Sequence, residues 1–278
     1  MVPTASIICM GVTALIAFVV PIVLAIYFVR AKHGELVPIL VGAAVFIVFA
    51  LVLESLVHNV FLLHTGVGGK VYANPWLFAI YGGIMAGLFE ETGRFTAFKT
   101  VLRKKQGNDA NALTYGVGHG GCEAILLVGL SYISNIYLAV LINAGMADML
   151  TASLDGDLLA QMQAALDSLI YAPPTLFLAA GIERISAIFL HIALSVLVWF
   201  AAKDAKQRLL FPIAIGLHAL VDIVAAACSS MGVNAWLLEL LVAAMCAGVV
   251  FYAWRVWQRN KALDIAKAEP SVLVPPQL

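Results

Sequence analysis

Long uncharged stretches alternate with short polar connections along this chain. A helix rising about 1.5 Å per residue crosses hydrocarbon in about 20 residues. Apolar runs of that kind fall at roughly 5–29, 36–62, 75–98, 112–144, 174–202, 209–230 and 234–256. The pattern predicts an all-α fold, a polytopic membrane helical bundle of about seven transmembrane helices. The second and fourth runs are longer than a perpendicular helix needs, which predicts tilt or a helical extension. The first is too long for a signal-peptide core and has no basic stretch before it, so it reads as a retained span. In the connection 145–173, Leu154, Leu158, Leu159, Met162, Leu166 and Leu169 recur at helical spacing with Asp and Gln between them. That spacing predicts an amphipathic segment at about 150–172 lying on the outer surface and ending at Pro173 and Pro174. A single transmembrane domain over 1–258 results. It is followed by a polar tail over 259–278 that is expected to be disordered and carries Pro270, Pro275 and Pro276.

Charge settles the expected orientation. Arg30 and Lys32 follow the first span, and Lys99, Arg103, Lys104 and Lys105 the third. Lys203, Lys206 and Arg208 follow the fifth, and Arg255, Arg259, Lys261 and Lys267 the seventh. In the remaining connections Lys70 is the lone basic residue. Basic connections stay in the cytoplasm, so the N-terminus is expected outside and the C-terminus inside. Composition excludes a soluble domain: 63% of the 278 residues are hydrophobic and 12% charged, at mean hydropathy +0.98. The lipid bilayer is therefore a partner. No basic cluster is interleaved with aromatics, which argues against nucleic acid as a partner. Cys9, Cys122, Cys228 and Cys246 are scattered through apolar runs and read as small buried hydrophobes.

Against this background the ionisable residues inside the runs stand out, because each costs roughly 2.5–3.5 kcal/mol at membrane depth on insertion scales. They are Glu90, Glu91 and Arg94 in the third run, His119 and Glu123 in the fourth, His191 in the fifth, and His218 and Asp222 in the sixth. Counted from the expected cytoplasmic ends at about 1.5 Å per residue, all lie roughly 10–20 Å deep, in one slab. Glu90 and Arg94 are four apart, as are His119 and Glu123, and His218 and Asp222, so each pair shares a helix face. Arg94 can hold the charge of one carboxylate and leave the other free to take a proton, which suits a general base acting on water. Small residues at Gly82, Gly83, Gly87, Gly116, Gly118, Gly120 and Gly121 are expected to bring the third and fourth helices together. Glu54 and His58, toward the outer side of the second run, read as structural partners of Arg184 or Glu183.

These motifs resemble a family. Glu-Glu-x-x-Arg, Tyr115-x-x-x-His119 and the late His-x-x-x-Asp look like the glutamate-dependent intramembrane proteases of the CAAX prenyl protease and bacteriocin-processing superfamily. Glu-Glu-Thr-Gly-Arg, Gly-His-Gly-Gly-x-Glu, Glu183-Arg-x-x-Ala-x-x-x-His191 and His-Ala-Leu-x-Asp are similar to its bacterial YhfC branch of membrane peptidases, over roughly residues 40–250. The resemblance implies a multi-pass protein of the bacterial cell membrane that hydrolyses a membrane-associated peptide or protein substrate. It implies Glu90 or Glu91 as the base that activates water, with His119 as its partner, and His218 with Asp222 at the oxyanion. The spacing to Arg94 is one residue shorter than in the wider family, and Asp222 stands where asparagine is common. Asp222 then is protonated, orients His218, or binds metal. His119, His191 and His218 with a carboxylate are the residue types of a zinc site, although no His-Glu-x-x-His is present. Metal-free and zinc-dependent mechanisms both fit at this stage. Buried Glu, His and Asp also form proton relays, so a proton-coupled transporter is the alternative, with a non-catalytic immunity-type membrane factor as a third class.

Overall fold

The structure is a computed structural model and describes residues 1–268. Ten helices follow one another among the described residues: α1 (Thr4–Ala31), α2 (Leu36–Leu63), α3 (Gly66–Tyr72), α4 (Pro75–Lys99), α5 (Ala110–Asn143), α6 (Ala147–Thr151), α7 (Gly156–Tyr171), α8 (Pro174–Lys203), α9 (Leu210–Ser230) and α10 (Ala235–Ala268). Six of them (α1, α2, α5, α8, α9 and α10) are long and apolar enough to cross a membrane. The expected third span, α4, is a 25-residue helix whose apolar run is diluted by glycines and by Glu90 and Glu91. Local chemistry sets its start. Pro75 supplies a preset first turn, and the Asn74 side chain accepts from the backbone N–H groups of Trp76 and Leu77.

The bundle is built around α8. The most apolar stretch of α8 is 78% buried, against 17–28% for the other five spans. Trp199, Leu194, Leu197 and Ile188 of α8 are fully enclosed. Close helix approach depends on glycine, though not between the helices expected. A Cβ on Gly118 of α5 would lie 2.0 Å from the Ile39 carbonyl oxygen of α2, and one on Gly42 would lie 2.3 Å from that of Tyr115. Gly83 and Gly87 of α4 instead face the α9 backbone at Ala219 and Ile215, and Gly116 and Gly120 face α8. The glycine rows therefore press α4 onto α9 and α5 onto α2 and α8, because each glycine-rich face meets the backbone of its own neighbour rather than the other glycine-rich helix.

Turns with an extra residue interrupt two helices. π-helical segments occupy Phe46–Glu54 and Asn59–Leu63 of α2, and Ala124–Gly129 of α5, which begins directly after Glu123. Such insertions rotate the register of all that follows, and they favour functional positions.

At one end, the basic connections are knotted together. The Asn111 side chain donates to Glu35 at 2.8 Å and accepts from the Glu35 backbone N–H at 2.9 Å, and Lys105 pairs with the Glu35 carboxylate. Lys105 and Asn111 hold the Glu35 carboxyl below its ordinary range. Asp109 accepts from Trp199 Nε1 and Lys203 Nζ. Gln207 and Asn260 exchange hydrogen bonds at 2.7 and 3.0 Å. This last contact lies beyond the expected boundary at 258, within the same helix. Docking of Asn260 on the α8–α9 connection carries α10 on to Ala268, while residues 269–278 of the expected tail lie outside the described residues. At the other end the amphipathic segment is two helices, α6 and α7. Leu166 and Leu169 of α7 are buried in a cluster with Met10, Ala139 and Phe177, so protein covers that face.

Gly118→Ala is expected to lower stability by about 1–3 kcal/mol or more, because backbone cannot yield as a side chain does. Gly82→Ala, where a Cβ meets nothing within 4 Å, should be neutral. Thermal unfolding of the two variants in detergent checks this, and equal melting temperatures would refute it.

Candidate active site

The membrane-depth residues converge. Glu91, Arg94 and His119 have no exposed surface, and Glu90, His191 and His218 are 7%, 3% and 2% exposed. Arg94 grips both oxygens of Glu91 through one guanidinium nitrogen. The other nitrogen, Nη2, lies 3.2 Å from His191 Nδ1 of α8. His218 Nδ1 of α9 is 2.9 Å from Glu91 Oε1, and its Nε2 is 3.4 Å from Asp222 Oδ2. Because Glu91 is fixed by a cation, it accepts from an Nδ1–H, which leaves His218 Nε2 unprotonated when the ring is neutral.

Glu90 faces the other way. Its Oε2 is 2.7 Å from His119 Nε2 of α5 and 3.8 Å from His191 Nδ1. Tyr115 and Phe46 frame the His119 ring, one stacked at 6.1 Å and the other edge-on at 5.4 Å between centroids. Glu123 Oε2 is 2.6 Å from His191 Nε2, in contact but without hydrogen-bond alignment. Glu123 Oε1 accepts from Arg184 Nη1 at 2.6 Å, and Arg184 also pairs with Glu183. All eight candidate residues (Glu90, Glu91, Arg94, His119, Glu123, His191, His218 and Asp222) thus belong to one connected network. Glu90, Glu123, His191, His218 and Asp222 line a cavity of about 80 Å³, with Val242 and Cys246 of α10 closing one wall.

Ligand atoms of Glu90, His191 and His218 all lie within 4.8 Å of one another, the spacing of a set that can take one metal ion after small side-chain rotations. His119 stands just outside that set, on Glu90. The expected metal set of His119, His191 and His218 is corrected here, with Glu90 in the place of His119, and the carboxylate that Arg94 holds, left open by the sequence, is decided. Arg94 selects Glu91, three residues away, rather than Glu90, four away; both spacings bring side chains together on a helix, and His218 on the far side of Glu91 decides between them. Arg184 joins the site through Glu123, and Glu54 and His58 are not its partners. Glu54 and His58 pair with each other at 3.0 Å, and His58 Nδ1 meets the Tyr81 hydroxyl at 3.0 Å. The signal for Arg184 was available: it precedes His191 by seven residues, two helical turns, and so shares its face.

A family model described as "YhfC intramembrane metalloprotease" matches residues 16–242. The chain belongs to the YhfC family. A Bacillus subtilis (strain 168) protein described as "Uncharacterized membrane protein YhfC" is 36% identical over 263 residues, which is 93% of this chain and 100% of that protein. No solved structure matches. With its six apolar spans the chain is an integral multi-pass membrane protein, and a bacterial plasma membrane fits the Bacillus relative. Membership suggests proteolytic activity and a metal.

Removing one partner of a fully buried ion pair strands the other charge, at about 3–5 kcal/mol. Glu91→Gln and Arg94→Met should each destabilise by that order, and the double variant by clearly less than the sum. A double-mutant cycle by thermal unfolding checks the coupling; additive losses would refute it.

Proposed function

We propose that the protein is an intramembrane endopeptidase that hydrolyses a peptide bond of a membrane-associated polypeptide, in the cytoplasmic half of the bilayer. The observation that carries this reading is the convergence of Glu90, His191 and His218 on one small buried cavity with a carboxylate set beside each histidine. The gathering of basic connections at one end supports a cytoplasmic assignment for that end, seven spans including α4, and an outside N-terminus.

The donor set fits a metal. Two imidazoles and one carboxylate are what zinc takes in catalytic sites, with a further position left for water. Ligating histidines characteristically give their second N–H to a carboxylate, which fixes the ring. Glu91 does this for His218, and Glu123 lies 2.6 Å from His191 Nε2, close enough to do so after a small rotation. Glu90, His191 and His218 would hold the ion, which when bound makes water nucleophilic at neutral pH and polarises a carbonyl.

The residues of the chain do the rest. Glu91 has both oxygens engaged by Arg94, so it positions His218 and is not the base. Arg94 balances the charge of the carboxylates around it. Asp222 lies on the cavity wall with its side chain 37% exposed. It takes a proton from water and returns it to the leaving amine. His119 orients Glu90. The cavity is small, about the volume of two or three waters, and opens at Asp222.

One observation favours a second reading. The 2.7 Å contact between Glu90 and His119 is that of a base and its proton-accepting partner, and in this version Glu90 activates water without an ion.

Two measurements test the proposal. Comparison of membrane-protein termini between cells making wild type and cells making Glu90→Gln at equal abundance should show wild-type-specific cleavage sites near cytoplasmic boundaries. No such sites would overturn the protease reading, and liposome flux assays would then test the transporter. Purified wild type should retain about one zinc per chain, and His191→Ala/His218→Ala none. Cleavage that survives chelation but is lost in His119→Ala would select the metal-free reading.

A further inference from the structure

A hollow of about 920 Å³ lies at the basic end, between the start of α9 and the end of α10. Lys206, Arg255 and Arg259 line it, with Gln207, Gln258 and the carboxylate of Asp204. The lining thus carries three cations against one carboxylate, and Arg255 also lies over the Phe251 ring, 6.0 Å from its centroid. Asp204 accepts from the Lys206 backbone N–H at 2.9 Å and from Gln207 at 3.4 Å, so it braces the turn that presents Lys206.

A second groove, of about 440 Å³, runs on from this hollow between α9 and α10. The two share Ile213 and Tyr252. Leu217, Leu220, Met245 and Val249 form the walls, and Gly248 leaves a gap where a Cβ would meet nothing within 4 Å. The groove reaches Val221, which also lines the catalytic cavity.

We infer that this paired hollow and groove is a binding site for an anionic phospholipid, its phosphate among Lys206, Arg255 and Arg259 and one acyl chain along α9 and α10. Charge complementarity selects the head. Each Lys or Arg near a membrane surface attracts an anionic headgroup by about 1 kcal/mol, and basic pockets between spanning helices hold such headgroups. The walls select the tail. A polypeptide laid in the groove would leave its backbone N–H and C=O groups without partners among these apolar side chains, which is costly in hydrocarbon. An acyl chain has no such groups. The inference does not depend on the catalytic reading, since none of the three cations takes part in the network around Glu90.

Native mass spectrometry of the full chain, presented with equimolar phosphatidylglycerol and phosphatidylcholine, tests it. Wild type is expected to retain phosphatidylglycerol in preference by roughly tenfold or more. Lys206→Ala/Arg255→Ala/Arg259→Ala should bind the two lipids equally. Gly248→Leu, which fills the groove from open space, should lose lipid of both kinds with its melting temperature unchanged. Inorganic phosphate at millimolar concentration should leave the bound lipid in place. Equal retention by wild type, an unchanged preference in the triple variant, or full retention by Gly248→Leu would overturn the inference. Displacement by free phosphate would assign the cations to a soluble anion and overturn it as well.

Discussion

Taking Glu91 and Arg94 out of water costs several kcal/mol per ion before either attracts the other. That expense is offset because each also reaches another helix, although Arg94 Nε has no partner among the described residues. Glu91 holds His218 of α9, and Arg94 reaches His191 of α8. The pair is thus a joint between three helices rather than a local bridge within α4. The glycines of α4 that face α9 serve the same joint, since they bring the two backbones close enough for a carboxylate to meet an imidazole. Histidine orientation, cavity shape and the division of labour between Glu90 and Glu91 all follow from this one contact.

The two glutamates show how position alone separates identical side chains. They are sequence neighbours, so a helix turns them about 100° apart. One points to the cation and α9, the other to His119 of α5 and the cavity. A site that needs one fixed anion and one available carboxylate obtains both from a single dipeptide.

Much of this was legible in the residues. Ionisable groups in apolar runs are rare enough that Glu90, His119, His191 and His218 stood out singly, and their common depth gathered them before any helix was placed. What was not legible was which faces meet. Periodicity says that Gly83 and Gly87 share a face; it does not say that the α9 backbone covers it. Glu54 and His58 are four apart and pair with each other, where Arg184 or Glu183 was expected as their partner, and nothing in the spacing foresaw that Asn260 would meet Gln207 on the extended α10. Partner choice between helices depends on tertiary packing, which a single helix does not encode. The π-helical turns add to this, because one inserted residue after Glu123 rotates everything downstream.

The enclosure of α8 has a consequence for biogenesis. A helix buried over most of its surface is enclosed only when its neighbours surround it, and two of these, α9 and α10, leave the ribosome after it. Its apolar stretch is hydrophobic enough to enter the bilayer by itself, but Glu183, Arg184 and His191 enter with it before Val242 and Cys246 exist to close the wall. During synthesis the chain must pass through a state in which its most enclosed helix is half-wrapped. Whatever shelters that intermediate, whether the insertion machinery or the early helices α1 and α5, governs how much of the protein reaches its finished form.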